Sequence, residues 1–236
     1  MNIKKFTFNP LSEQTRVIWK DAKCAVTVDP SFHNDREREE FHSWLKANGI
    51  ELKAIFLTHA HFDHIMGVQE LYEQLGIPVY MNPADTAVYC MTEHYSGKAG
   101  LPVIRHEWEI TPATEGQTIS LGGMNWQVIE TPGHTPGSVC YYEREEGVLL
   151  SGDTLFAGAI GRTDFDFGDY DKEIVSIMEK LIWLDAGTQV LPGHGPDTTI
   201  GYERAHNPFL EPFNEREEID FQMSKQGLSS DKLTHD

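Results

Sequence analysis

The chain has 236 residues, 39% hydrophobic and 11% aromatic, enough for one large domain with an ordinary core. Its 19 Lys and Arg stand against 37 Asp and Glu, a formal net charge of −18. That balance argues against nucleic acid or an anionic membrane as a partner, since neutralising phosphate needs a basic face.

No apolar run reaches the ~18 residues that span a bilayer. The start, "MNIKKFTFNPLSEQ", has two lysines with no apolar stretch behind them, unlike a secretory signal. Cys24, Cys90 and Cys140 are odd in number and widely spaced. They read as reduced core or strand cysteines, and the expected location is the cytoplasm.

In chain order, "KKFTFN", "TRVIWK" and "CAVTVDP" alternate and turn like a small β-meander. "DREREEFHSWLKANG" has helical spacing at Phe41, Trp44 and Leu45 and a stop signal at Gly49. "ELKAIFLT" is a strand, a helix is expected from about Ile65 to Gly76, "IPVYMN" is a strand, and "PADTAVYCM" is a helix entered through Pro83. Residues 93–116 have no clear period and read as an irregular connection.

"QTISLGGMNWQVIET" is a hairpin on a Gly-Gly turn, followed by strands at "SVCYYE" and "GVLLSG". "DKEIVSIMEKLIWL" is an amphipathic helix, and "TQVLPG" is the last clear strand. Trp19, Trp44, Trp126 and Trp183 sit in periodic elements and are expected in the core. The tail from about Gly201 is Glu-rich with one helix expected at "NEREEIDFQMSKQG". An all-β start with only partial alternation afterwards fits two mixed sheets covered by helices better than a doubly wound parallel sheet.

Where the strand "ELKAIFLT" stops, the chain reads "THAHFDHIMG", placing three histidines and an aspartate within six positions. A packed core does not ask for that. Neutral imidazole and carboxylate are ligands that zinc, iron and manganese accept. His134 in "TPGHTPGS", Asp153 in "SGDTLF" and His194 in "LPGHGP" each follow a β-like run and a Gly or Pro that lets the backbone turn. Loops at strand ends gather on one sheet edge, so these segments can converge. In an extended "THAH", His59 and His61 point the same way, whereas Asp63 and His64 follow the turn toward the next helix.

These motifs, in this order and at these separations, resemble the metallo-β-lactamase superfamily, most of all its glyoxalase II (hydroxyacylglutathione hydrolase) branch in a short form without the C-terminal helical domain. The resemblance covers roughly residues 1–200, leaving 201–236 as a short extension packed on or trailing from the same domain. It implies an α/β four-layer αββα sandwich with a dinuclear site. His59, His61 and His134 would hold the first metal; Asp63, His64 and His194 would hold the second; Asp153 would bridge them. Zinc is the first expectation, with iron or manganese as alternatives. A metal-bridging hydroxide would attack a small thioester or ester, with Asp63 orienting it and Asp153 completing the catalytic pair. Asp29 in "TVDP" would support the site by orienting a ligand histidine.

Within the superfamily, flavodiiron proteins carry a glutamate where His61 stands, and many zinc β-lactamases carry Cys or Ser at the Asp153 position. "GRTDF" at 161–165 also occurs in the mononuclear-iron persulfide dioxygenases, which use the positions of His59, His134 and Asp153, so that branch remains the enzyme alternative. A metal-stabilised binding protein is the non-enzyme alternative. Arg162 stands where glyoxalase II places a lysine that contacts the substrate's glycine carboxylate. A salt bridge to Asp164 or Asp166 is the competing reading. His33, His42, His94, His106, His206 and His235 have no partner motif and read as surface or hydrogen-bonded histidines.

Overall fold

The computed structural model describes residues 1–101 and 107–211. The first sheet orders β1 (Asn2–Lys5), β2 (Arg16–Trp19), β3 (Ala25–Val28), β4 (Leu52–Phe56), β5 (Val79–Met81) and β6 (Ile110–Pro112) as successive neighbours. It begins antiparallel and is parallel from β3 onward. The second sheet contains β7 (Thr118–Leu121), β8 (Met124–Glu130), β9 (Val139–Glu143) and β10 (Val148–Gly152). A separate hairpin, β11 (Leu155–Phe156) and β12 (Ala159–Ile160), precedes β13 (Gln189–Pro192) and β14 (Thr198–Thr199), which complete the second sheet in the order β14-β13-β10-β9-β8-β7. Its β10–β13 pair is parallel and the rest antiparallel.

Side-chain alternation assigns the layers. Ile18, Val26 and Phe56 of the first sheet meet Trp126, Val128, Tyr141 and Leu150 of the second in one buried cluster. The opposite faces of the same strands turn outward: Val17 and Ile55 pack with Phe41, Leu45, Val68 and Leu71, while Cys140, Tyr142 and Leu149 pack with Ile174, Ile177 and Leu181. Strands buried on both faces have near-continuous apolar sequences, as "VCYY" and "VLL" do. The expected four-layer αββα sandwich is the observed fold.

The covering helices are α1 (Asp35–Asn48), α2 (Val68–Leu75), α3 (Thr86–Cys90), α4 (Thr92–Lys98), α5 (Tyr170–Ser176) and α6 (Ile200–His206). The Asn34 side chain caps α1 at the Glu37 N–H. Gly49 closes it in the left-handed conformation, as the expected stop signal. The hairpin β7–β8 turns on Gly122 and Gly123, both at positive φ.

Several expectations differ. The helix expected from Ile65 begins at Val68, because a 3-10 turn over Phe62–His64 comes first. The connection over 93–116 contains most of α4 and all of β6, whose three residues are too few to show a period. Trp183 is 66% exposed rather than core. The buried stripe of the preceding helix runs through Ile174, Ile177 and Leu181 to Ile182; the helix passes into a π-helical turn that ends at Leu181, and Trp183 sits in the turn that follows. Cys140 is a buried strand residue, but Cys90 is exposed at the end of α3. The tail helix expected at 214–227, His106 and His235 lie outside the described residues. No described helix is long and apolar enough to cross a membrane.

Candidate metal centre

Five chain segments meet at one edge of the two sheets. Asp29 follows β3, the 58–64 segment follows β4, His134 lies in the loop after β8, Asp153 follows β10 and His194 follows β13. Two of these approaches require glycine. A Cβ at Gly193 would stand 2.3 Å from Asp153 Oδ1, and one at Gly152, whose φ is +51°, would meet Thr58 Oγ1 at 2.4 Å.

All seven sequence-predicted ligands converge. Donor atoms of His59, His61 and His134 lie within 4.8 Å of one another, as do those of Asp63, His64 and His194. Asp153 stands between the groups: Oδ1 is 3.5 Å from His64 Nε2, and Oδ2 is 3.6 Å from both His134 Nε2 and His194 Nε2.

Hydrogen bonds aim the imidazoles. His64 Nδ1–H donates to Asp29 Oδ2 at 3.0 Å, His134 Nδ1–H to the Arg162 carbonyl at 2.8 Å, and His194 Nδ1–H to the Leu11 carbonyl at 3.1 Å. Each proton fixed on Nδ1 leaves Nε2 free to face the centre. His61 instead presents Nδ1, 2.9 Å from His134 Nε2. Asp29 also accepts from the Thr58 N–H and hydroxyl at 2.8 and 2.6 Å, so it orients His64 and pins the start of the histidine segment together.

Burial, reinforced by neighbouring imidazoles, holds His59 well below the usual histidine range and takes His61 down to about 3. Burial also lowers His134, against the pull of Asp153. That triad is neutral and ready to donate lone pairs. Burial opposes a charge on His64 as well, but Asp153, Asp63 and the bond to Asp29 outweigh it and raise its pKa. Burial likewise opposes ionisation of Asp153 and Asp63, and the facing histidines overcome it in both.

His59 Nε2 and Asp153 Oδ1 are buried without a hydrogen-bond partner. Such orphaned polar atoms are costly in a protein interior. A divalent cation ligated by nitrogen and oxygen satisfies both, so this donor set fits one.

Two carboxylates escaped the sequence reading. Asp85 accepts from the Ala60 N–H at 2.8 Å, the Gly137 N–H at 2.6 Å and the Thr135 hydroxyl at 3.0 Å, joining the loops that carry His61 and His134. Glu173 accepts from the His134 N–H at 2.7 Å, and burial pushes its carboxyl up to about 8. Asp85 stands in a helix-entry stretch and Glu173 in a helix, where acids ordinarily cap or face water. Their sequences carry no signal to the contrary.

A cavity of about 550 Å³ opens above the cluster, walled by Leu11, Phe62, Tyr95, Phe156 and Phe165. The Phe165 ring stands 5.2 Å from the rings of both His61 and His134. Arg162 lies at the rim, 75% exposed, with its guanidinium 3.0 Å from Asp164. Tyr95 donates its hydroxyl to Asp166 at 2.6 Å on the same rim. His33 and His42 pair with Glu37 and Glu70, His206 bonds the Tyr202 carbonyl, and His94 does not line the cavity.

Residues 13–194 match the family model described as the metallo-beta-lactamase superfamily. The hydroxyacylglutathione hydrolase GloC of Haemophilus influenzae is 35% identical over 215 residues, covering 89% of this chain and 98% of that protein. Two crystal structures are similar in fold and sequence. The BLEG-1 B3 metallo-beta-lactamase matches with TM-score 0.77 and 38% identity, over 89% of this chain and 99% of its own. TTHA1623, in a di-iron-bound form, matches with TM-score 0.78 and 36% identity, over 88% of this chain and 100% of its own.

Proposed function

The chain belongs to the metallo-beta-lactamase superfamily, and from that premise we propose that it is a dinuclear metal-dependent hydrolase of a small thioester or ester, glyoxalase II-like in its chemistry. The observation that carries this reading is the place of Asp153, between two three-residue donor groups and within 3.6 Å of a histidine of each. His59, His61 and His134 would hold one ion, Asp63, His64 and His194 the other, with Asp153 shared. Zinc is the first candidate and iron or manganese the alternatives. When bound, such a pair supplies a water acidified toward neutrality and polarises a carbonyl oxygen.

The remaining work falls to the chain. Asp63, buried and with its carboxyl held below the usual range by His64 and His194, would accept a hydrogen bond from the attacking water and orient it. Phe62, Phe156 and Phe165 shield the reacting carbonyl from bulk water and hold an apolar acyl group. A thiolate leaving group, with a pKa of ~8.5, needs little acid assistance.

Arg162 already has a partner in Asp164, so binding a substrate carboxylate means exchanging one anion for another. Arg162→Ala is expected to raise KM less than about tenfold with kcat kept, as for a solvent-screened contact. A cytoplasmic setting belongs to the same reading, supported by the acidic charge and three free cysteines.

The test is metal content by plasma mass spectrometry beside a three-substrate panel: S-lactoylglutathione hydrolysis, nitrocefin hydrolysis, and oxygen uptake with glutathione persulfide. Two metals per chain with thioester cleavage, lost in His59→Ala and Asp153→Ala while folding persists, is the expected result. Full activity in both variants sinks the reading. One iron per chain with oxygen uptake favours a mononuclear-iron persulfide dioxygenase, which "GRTDF" at 161–165 supports.

A further inference from the structure

The N-terminal strap over residues 9–16 lies outside every motif above, yet it bonds to the second donor group from several sides. Asn9 Nδ2 donates to the Asp63 carbonyl at 3.0 Å, and the Leu11 carbonyl accepts from His194 Nδ1 at 3.1 Å. The Gln14 N–H donates to the Gly193 carbonyl at 2.8 Å, and its side-chain amide donates to the Gly195 carbonyl. Thr15 Oγ1 donates to the Asp29 carbonyl at 2.8 Å, behind His64. None of these bonds reaches His59, His61 or His134. That triad leans on Asp85 and Glu173 instead.

Arg16 fastens the strap. It is 3% exposed at the start of β2. One guanidinium nitrogen donates to the Pro192 carbonyl at 2.6 Å and the Gln14 carbonyl at 3.2 Å. The other donates to Asp197 Oδ1 at 2.8 Å and Gln14 Oε1 at 3.0 Å. The planar fork therefore grips the 192–197 loop on both sides of His194 and ties it to the strap, a geometry that a lysine's single ammonium cannot reproduce.

We propose that Arg16 is a positioning residue for the second ion: it holds His194 in register with Asp63 and His64, and so sets whether the centre fills with two metals or one. This inference rests on the dinuclear reading above.

The experiment strips the full chain with chelator and titrates it with zinc by calorimetry and with cobalt(II) by absorption. Wild type, Arg16→Leu, Arg16→Lys and Asp197→Asn are compared, and thermal melting of each metal-free form verifies folding. Wild type is expected to bind two ions. Arg16→Leu keeps the first at wild-type affinity and weakens the second by at least about tenfold, the loss typical when a ligand's supporting contact is removed. Arg16→Lys recovers part of that loss. Asp197→Asn weakens the second ion selectively and decides the matter should Arg16→Leu not fold. Two ions at wild-type affinity in both Arg16→Leu and Asp197→Asn, or equal weakening of both ions, overturns the proposal alone. A wild type that takes a single ion overturns the dinuclear reading and this inference with it.

Discussion

Asp85 shows how much of this centre is held by residues that ligate nothing. Its buried carboxylate receives two backbone N–H groups and a hydroxyl from loops far apart in sequence. Asp85→Ala orphans those donors and is expected to destabilise the fold by about 3 kcal/mol or more, measured by denaturant unfolding. Chelator competition should show weaker metal binding at His59, His61 and His134 in the same variant, by roughly tenfold to a hundredfold. The cysteines give a second residue-scale prediction. Burial raises the Cys140 thiol to about 12, while Cys90 is exposed. Cys140 should stay unlabelled by a disulfide reagent near pH 8 in the native protein and react only on unfolding, whereas Cys90 reacts at once. The folded thiol keeps its proton where the unfolded one, near 9.0, loses it. Its contribution to stability is therefore whole below pH 9 and is lost as pH rises toward 12. Cys140→Ala should lessen that alkaline destabilisation in pH-dependent melting.

Elements explain where periodicity succeeded and where it misled. The helix after β10 and its small hairpin carries the apolar spacing expected of it, and Ile174, Ile177, Leu181 and Ile182 are buried. The same periodic stretch contains Trp183, which membership in the stretch alone placed in the core. The helix ends at Leu181, and Trp183 lies exposed in the turn beyond it. Trp183→Ser is thus expected to change stability by no more than about 0.5 kcal/mol, while Trp126→Ala, at the fully buried junction of the two sheets, should cost roughly 3–5 kcal/mol. Equilibrium urea denaturation of both separates the cases. The three-residue β6 and seven-residue α4 are too short for local pattern to report them. Parallel pairing of β6 with β5 fixes the former.

For the whole molecule, the centre sits at the common edge of two sheets whose apolar faces pack against each other. On the proposed dinuclear reading, metal bound there would link segments from both, and a site assembled only by folding would favour the folded chain. Chelation is expected to lower the melting temperature by about 10 °C, reversibly on metal return, for ions held at roughly a thousand times their dissociation constant. Calorimetry with and without chelator measures it.

The chain alone determined the layered class and all seven converging donors, because those signals are local. Apolar runs between turn residues mark strands buried on both faces, and histidines and aspartates placed where such runs stop have little reason to be there except chemistry. Only the tertiary structure decided that Asp85 and Glu173 bond the loops carrying His61 and His134, that Arg16 bonds the 192–197 loop, that Arg162 is engaged with Asp164, and that the strap over residues 9–16 bonds to one donor group and not the other. An acid in a helix or an arginine beginning a strand is the same letter whether it meets water or a loop nearly two hundred positions away, and only the packing of the two sheets chooses between them.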